Sequence, residues 1–94
     1  MKNFRPLSAI RNRGIVDPNG EHVGRIHDVL FDLRDGRIEY ICIALDAGQR
    51  RDRREVVVPW SALRIGDGGD RDWQVAARKQ ALEEFAQPVQ QRSE

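Results

Sequence analysis

The chain has 94 residues, a formal net charge of +1 and one cysteine. That length suits a single domain with a modest core. The balanced charge supplies no global field toward nucleic acid or anionic lipid, and a lone thiol excludes an internal disulfide framework.

Residues 1–6 read as a loose arm that lacks the apolar core of a signal peptide. No apolar run approaches the roughly 18–20 residues needed to span a bilayer, so the expected address is cytoplasmic with no direct membrane insertion. Ser8 is placed to cap a short helical turn over Ala9 and Ile10. Residues 13–17, RGIVD, form a strand candidate, and Pro18-Asn19-Gly20 then turns the chain.

Residues 22–46 carry the organising pattern: two long strands joined by a tight turn at Asp35-Gly36, where glycine takes positive φ without steric cost. In the first strand Val23 and Val29 share one parity and Ile26 and Leu30 the other. The switch predicts a bulge or bend near His27-Asp28, the device by which a small sheet curls over itself. In the second strand both parities are apolar: Tyr40, Cys42 and Ala44 on one side, Ile41, Ile43 and Leu45 on the other. A strand with one wetted face alternates, so this one is expected to be covered twice. The second cover is a helix, a curled-over strand or another copy of the chain, with the C-terminal helix through Leu82 and Phe85 as the first candidate and a second subunit as the next.

Residues 47–54, AGQRRDRR, read as a polar hairpin loop. Residues 55–58 form a strand that Pro59 ends, and residues 60–63 a helical turn with Trp60 and Leu63 inward. Residues 66–70 are a turn cluster, and residues 73–75 a last short strand. From Ala76 a helical stripe of Ala77, Ala81, Leu82 and Phe85 predicts a helix that Pro88 stops. The domain is thus expected over residues 7–87, with residues 88–94 as a tail.

No catalytic constellation emerges. Adjacent strand residues face opposite ways, so His27 and Asp28 form no dyad unless the backbone bulges; Asp28 reads as a carboxylate bonding turn or bulge N–H groups. Around Gly20 the calcium-loop register puts Ile15 and Ile26 at ligand positions, which leaves a plain turn. No zinc set, nucleophile elbow or phosphate loop is present. The expectation is therefore a non-enzyme without cofactor or metal. Cys42 reads as a small buried hydrophobe. Arg50, Arg51, Arg53 and Arg54 concentrate positive charge and are candidate RNA contacts, with a solvated loop favoured.

In their order, Ile15-Val16-Asp17, Asn19-Gly20-Glu21, Val23-Gly24-Arg25-Ile26, Asp28-Val29-Leu30, Asp32, Gly36-Arg37-Ile38, the apolar strand to Leu45 and Val58-Pro59-Trp60-Ser61 resemble the PRC-barrel family. The resemblance runs from Leu7 to Ser61. It implies a mainly β fold: a small antiparallel β-barrel of PRC type, here with a short C-terminal helix. Family members include the cytoplasmic part of the reaction-centre H subunit, a domain of a ribosome maturation factor, and small stand-alone proteins, which this chain looks like. The implied role is non-catalytic protein binding and assembly, with a protein partner of unstated identity; the apolar excess on the strand from Tyr40 to Leu45 adds the expectation that the chain self-associates as a dimer. Tyr40 and Cys42 are the partner-contact candidates. The alternative is an RNA- or ribosome-associated module using the Arg50 to Arg54 loop.

Overall fold

A computed structural model describes residues 6–46, 53–65 and 72–89. The elements in chain order are α1 (Leu7–Ile10), β1 (Gly14–Val16), β2 (His22–Phe31), β3 (Ile38–Leu45), β4 (Arg54–Pro59), a 3-10 turn (Trp60–Ala62), β5 (Leu63–Arg64), β6 (Trp73–Val75), α2 (Lys79–Glu84) and β7 (Gln87–Pro88). They form one seven-stranded sheet in the order β5-β6-β1-β2-β3-β4-β7.

The expected closed, purely antiparallel barrel needs correction on both counts. β1 and β6 run parallel, with Ile15 opposite Trp73 and Val16 opposite Gln74. The chain between them is long enough for the crossover that parallel neighbours require. The sheet is also open among the described residues: its end strands, β5 and β7, have two residues each and do not pair. Such short edges leave few backbone groups exposed for pairing with other chains.

Curvature comes from bulges in β2. Val23, Ile26 and Val29 are all buried, yet they are three apart, a spacing that strict alternation forbids. An extra residue restores the face in each interval. The pairing with β1 skips from Gly24 to His22, and the pairing with β3 skips from Ile26 to Asp28. The second skip is the bulge expected at His27. A third irregularity falls between Leu30 and Phe31.

The β2–β3 connection is wider than the tight turn expected. Strand pairing ends at Phe31 and Ile38, and the Asp32 and Gly36 N–H groups donate to the Arg37 and Asp32 carbonyls. Gly36 does take positive φ, 72°, and the Asp32 and Asp35 carboxylates accept from the Arg34 and Arg37 N–H groups. Two such Asx bonds stabilise a longer loop than two residues would give. Ser8 does not cap α1: the N-cap is Pro6, without a side-chain hydrogen bond.

The core joins Ile10, Ile15, Val23, Ile26, Val29, Ile41, Ile43, Val56, Val58, Trp73, Val75 and Leu82, with Trp60 and Leu63 packed against it. Trp60 and Trp73 meet edge to face, centroids 6.2 Å apart at 75°, a favoured aromatic geometry. The C-terminal helix is shorter than its stripe implied. Leu82 is buried, but Phe85 is 74% exposed. The stripe fails because the helix stops at Glu84 and Phe85 leaves the α region, with ψ 2°. The helix ends at Glu84, so Pro88 is not what stops it; Pro88 lies in a two-residue strand against Arg54.

Residues 1–5, 47–52, 66–71 and 90–94, on which the expected arm, polar hairpin loop, turn cluster and tail fall, lie outside the described residues. No helix among the described residues is long and apolar enough to cross a membrane.

Candidate functional site

β3 places three consecutive residues out of water: Ile41, Cys42 and Ile43 all have zero exposure. Ile41 and Ile43 lie opposite Val29 and Ile26 on one side and Val58 and Val56 on the other, all core residues. Alternation turns Tyr40, Cys42 and Ala44 to the outer face. Their cross-strand neighbours there are Leu30, Asp28 and Arg25 on β2, and Pro59, Val57 and Glu55 on β4.

This outer face is divided. Around Cys42 and Glu55 it is sealed, with both residues buried. Toward the β2–β3 turn it opens: Tyr40 is 49% and Val57 46% exposed, Pro59 is exposed and Leu30 half-buried. The double cover expected of β3 therefore holds at residues 41–43 and stops at Tyr40. Cys42 forms the floor and Tyr40 and Val57 the accessible apolar surface. Phe31 and Leu33, 48% and 88% exposed, extend the apolar character toward the hairpin tip.

The bulge at His27 meets the condition for a His27–Asp28 dyad, but Asp28 uses its carboxylate otherwise. Its Oδ1 accepts the Val29 N–H at 2.9 Å, bonding the bulged backbone as the sequence suggested. His27 is exposed.

Of the arginine run, Arg50 and Arg51 lie outside the described residues. Arg53 is exposed; Arg54 is half-buried, and its guanidinium donates to the Glu83 carbonyl at the end of α2. Beside it the Val89 N–H donates to the Arg53 carbonyl. This end of the run straps the C-terminal segment to β4.

Three arrangements escaped the sequence reading. The buried Asp17 carboxylate accepts the Asn19 and Glu21 N–H groups through Oδ1 and the Lys79 N–H through Oδ2. The turn at Asp17 was legible, but the partner at Lys79 gave no local signal. His22 Nε2 lies 2.8 Å from Asp46 and its Nδ1 3.9 Å from Asp72, joining segments distant in sequence. Asp32, Asp35 and Glu39 bring carboxylate oxygens within 4.8 Å of one another at the hairpin tip. Arg34 pairs with Asp32 there at 2.9 Å, which holds the Asp32 carboxyl below its ordinary range and raises the Arg34 guanidinium.

The bulged central hairpin, the short edge strands and the 3-10 turn after Pro59 are accompanied by a family match. The model of the PRC-barrel domain aligns with residues 2–80. The chain belongs to the PRC-barrel domain family. Among curated proteins no match is found. In this PRC-barrel domain β1 pairs with β6 in parallel and the sheet is open among the described residues, where a closed antiparallel barrel was expected.

Proposed function

We propose that this PRC-barrel domain is a non-catalytic protein-binding module that pairs with itself through the outer face of β2, β3 and β4. The observation that carries the reading is the apolar surface of Tyr40 and Val57, flanked by Leu30 and Pro59 and backed by the sealed Cys42. An apolar patch on a rigid sheet is a usual protein interaction surface. A two-fold pairing sets the same patch on both partners, so Tyr40 and Val57 meet their own counterparts. A standard interface buries about 800 Å² per partner, roughly a tenth of the 7408 Å² surface of this chain.

Sedimentation at micromolar concentration tests the pairing. The parent chain is expected as a dimer, and Tyr40→Glu with Val57→Asp as a monomer of unchanged circular dichroism. Charging a desolvated contact centre costs enough to weaken the pairing by about a hundredfold or more. A parent chain that sediments as a monomer removes the self-pairing.

A further inference from the structure

The turn after β1 carries the one asparagine–glycine pair of the chain, Asn19-Gly20. Both residues are exposed, and Gly20 takes a φ of 82°. Nothing lies within 4 Å of where a Cβ would stand at Gly20. The bonds that close this turn all meet at Asp17. Its N–H donates to the Glu21 carbonyl at 2.8 Å, and its own carbonyl accepts the Gly20 N–H at 2.9 Å. Its Oδ1 accepts the Asn19 and Glu21 N–H groups, each at 2.9 Å. Its Oδ2 accepts the Lys79 N–H at 3.1 Å, at the start of α2. The exposed turn and the C-terminal helix therefore hang on the two oxygens of one carboxylate.

We infer that Asn19 is a site of spontaneous deamidation, and that the modification uncouples the first turn from α2. Hydroxide takes the proton of the Gly20 N–H, and the nitrogen attacks Asn19 Cγ. A new C–N bond forms, the Cγ–Nδ2 bond breaks, and ammonia leaves with a proton taken from water. Water then opens the cyclic imide at either carbonyl, to leave aspartate or isoaspartate at position 19. Glycine favours the attack because no Cβ flanks its nitrogen. The folded turn slows it: the Gly20 N–H is bonded to the Asp17 carbonyl, so the reaction waits for local opening. Asp35-Gly36 is also exposed, with Gly36 at a φ of 72°. Asp35 offers a carboxylate, which resists nucleophiles, where Asn19 offers a neutral amide.

Isoaspartate reroutes the backbone through the side chain. The chain gains a methylene between residues 19 and 20, and the former backbone carbonyl becomes a carboxylate. The paired Asp17 and Glu21 bonds span that insertion, so lengthening it pulls their partners out of register. The new charge also repels the Asp17 carboxylate nearby. Oδ1 and Oδ2 belong to one planar group, so a shift of Oδ1 carries Oδ2 away from the Lys79 N–H. That donor has no partner within its own helix, as is general for the first turn. It is left to water.

The test is to age the full chain in mild alkali beside the Asn19→Gln variant, with circular dichroism to show that the fold is intact. After trypsin, residues 14–25 of the parent are expected to gain one mass unit and to split into two species of equal mass. The rate should rise with hydroxide concentration. Asn12, also exposed but followed by Arg13, should not change. In the isoaspartate form, separated by chromatography, the Lys79 amide should exchange about tenfold faster than in the fresh chain. The paired centre of β2 and β3 should stay protected. Aged Asn19→Gln should keep its Lys79 protection, and so should Asn19→Asp, which adds the charge on a backbone of ordinary length. No mass gain in residues 14–25, an equal gain at Asn12, or an isoaspartate form that exchanges like the fresh chain would each overturn the inference. So would an equal loss of Lys79 protection in aged Asn19→Gln or in Asn19→Asp.

Discussion

Gly24→Ala is expected to destabilise the chain by about 3 kcal/mol or more, enough to leave a large unfolded fraction at ordinary temperature. Gly24 sits inside β2 with neighbours on both sides, opposite Ile15 of β1 and Leu45 of β3. A Cβ there would stand 2.0 Å from the Ala44 carbonyl oxygen and 2.9 Å from its carbon. Both atoms belong to the backbone of the most deeply buried strand, so they cannot rotate away. Relief requires moving β3 and, with it, Ile41 and Ile43. Gly14→Ala is the control. Its Cβ would also crowd a neighbour, the Asp72 carboxylate at 2.5 Å, but that group ends a flexible side chain at an exposed position. Neither glycine has positive φ, so backbone conformation is not what separates them. Thermal and urea unfolding should show Gly14→Ala within about 1 kcal/mol of the parent. For a domain of this size each kcal/mol moves Tm by about 4–8 °C, so the two variants are easily resolved. Equal losses at both positions would show that close backbone approach is not what Gly24 provides.

Asp17→Asn should release the start of the C-terminal helix from the first turn. Three backbone N–H groups converge on this buried carboxylate, two on Oδ1 and one on Oδ2. An asparagine keeps one acceptor oxygen and puts an NH₂ group in place of the other. Kept on the side of the two N–H groups of Asn19 and Glu21, that oxygen leaves the Lys79 N–H facing the NH₂ group without an acceptor, and a part-buried donor without an acceptor is costly. Amide exchange should speed up at Lys79 and Leu82, while the paired centre of β2 and β3 stays protected.

The same contacts set a pH dependence. The Lys79 N–H contributes most to holding the Asp17 carboxyl below its ordinary value of 3.8. Burial opposes that shift, and the Glu21 and Asn19 N–H groups and the Lys79 charge add to it. A carboxyl with a lowered folded-state pKa binds its proton less tightly in the folded chain than in the unfolded one. Its stabilising contribution is therefore complete above the unfolded pKa and disappears as pH falls through the folded value. The difference between the parent and Asp17→Asn should be largest near neutrality and close below about pH 4. A gap that persists unchanged into stronger acid would mean that the ionised carboxylate is not the acceptor.

Much of the fold was legible because its signals are local. The doubly apolar run at Ile41, Cys42 and Ile43 marked the buried strand, and the broken parity from Val23 to Val29 placed a bulge at His27. Trp60 and Leu63 declared themselves as inward-facing by size and position, and both pack against the core. A glycine inside a strand is also a local sign of close backbone approach, and Gly24 could have been read that way. Phe85 misled, because a helical stripe specifies a face only while the helix continues. The candidate face was half legible: Tyr40 and Cys42 fell on one side, but their different exposure follows from Val57 and Pro59, which arrive from another strand.

The sequence by itself determined the β class, the central hairpin and its bulge, since alternation, turn chemistry and apolar density act over a few residues. Only the tertiary structure decided that β6 lies parallel to β1, that the sheet stays open and that Asp17 holds α2. Those relations join residues far apart along the chain. Their free energy depends on which surfaces remain uncovered after the hairpin has formed, and no local window of sequence contains that information.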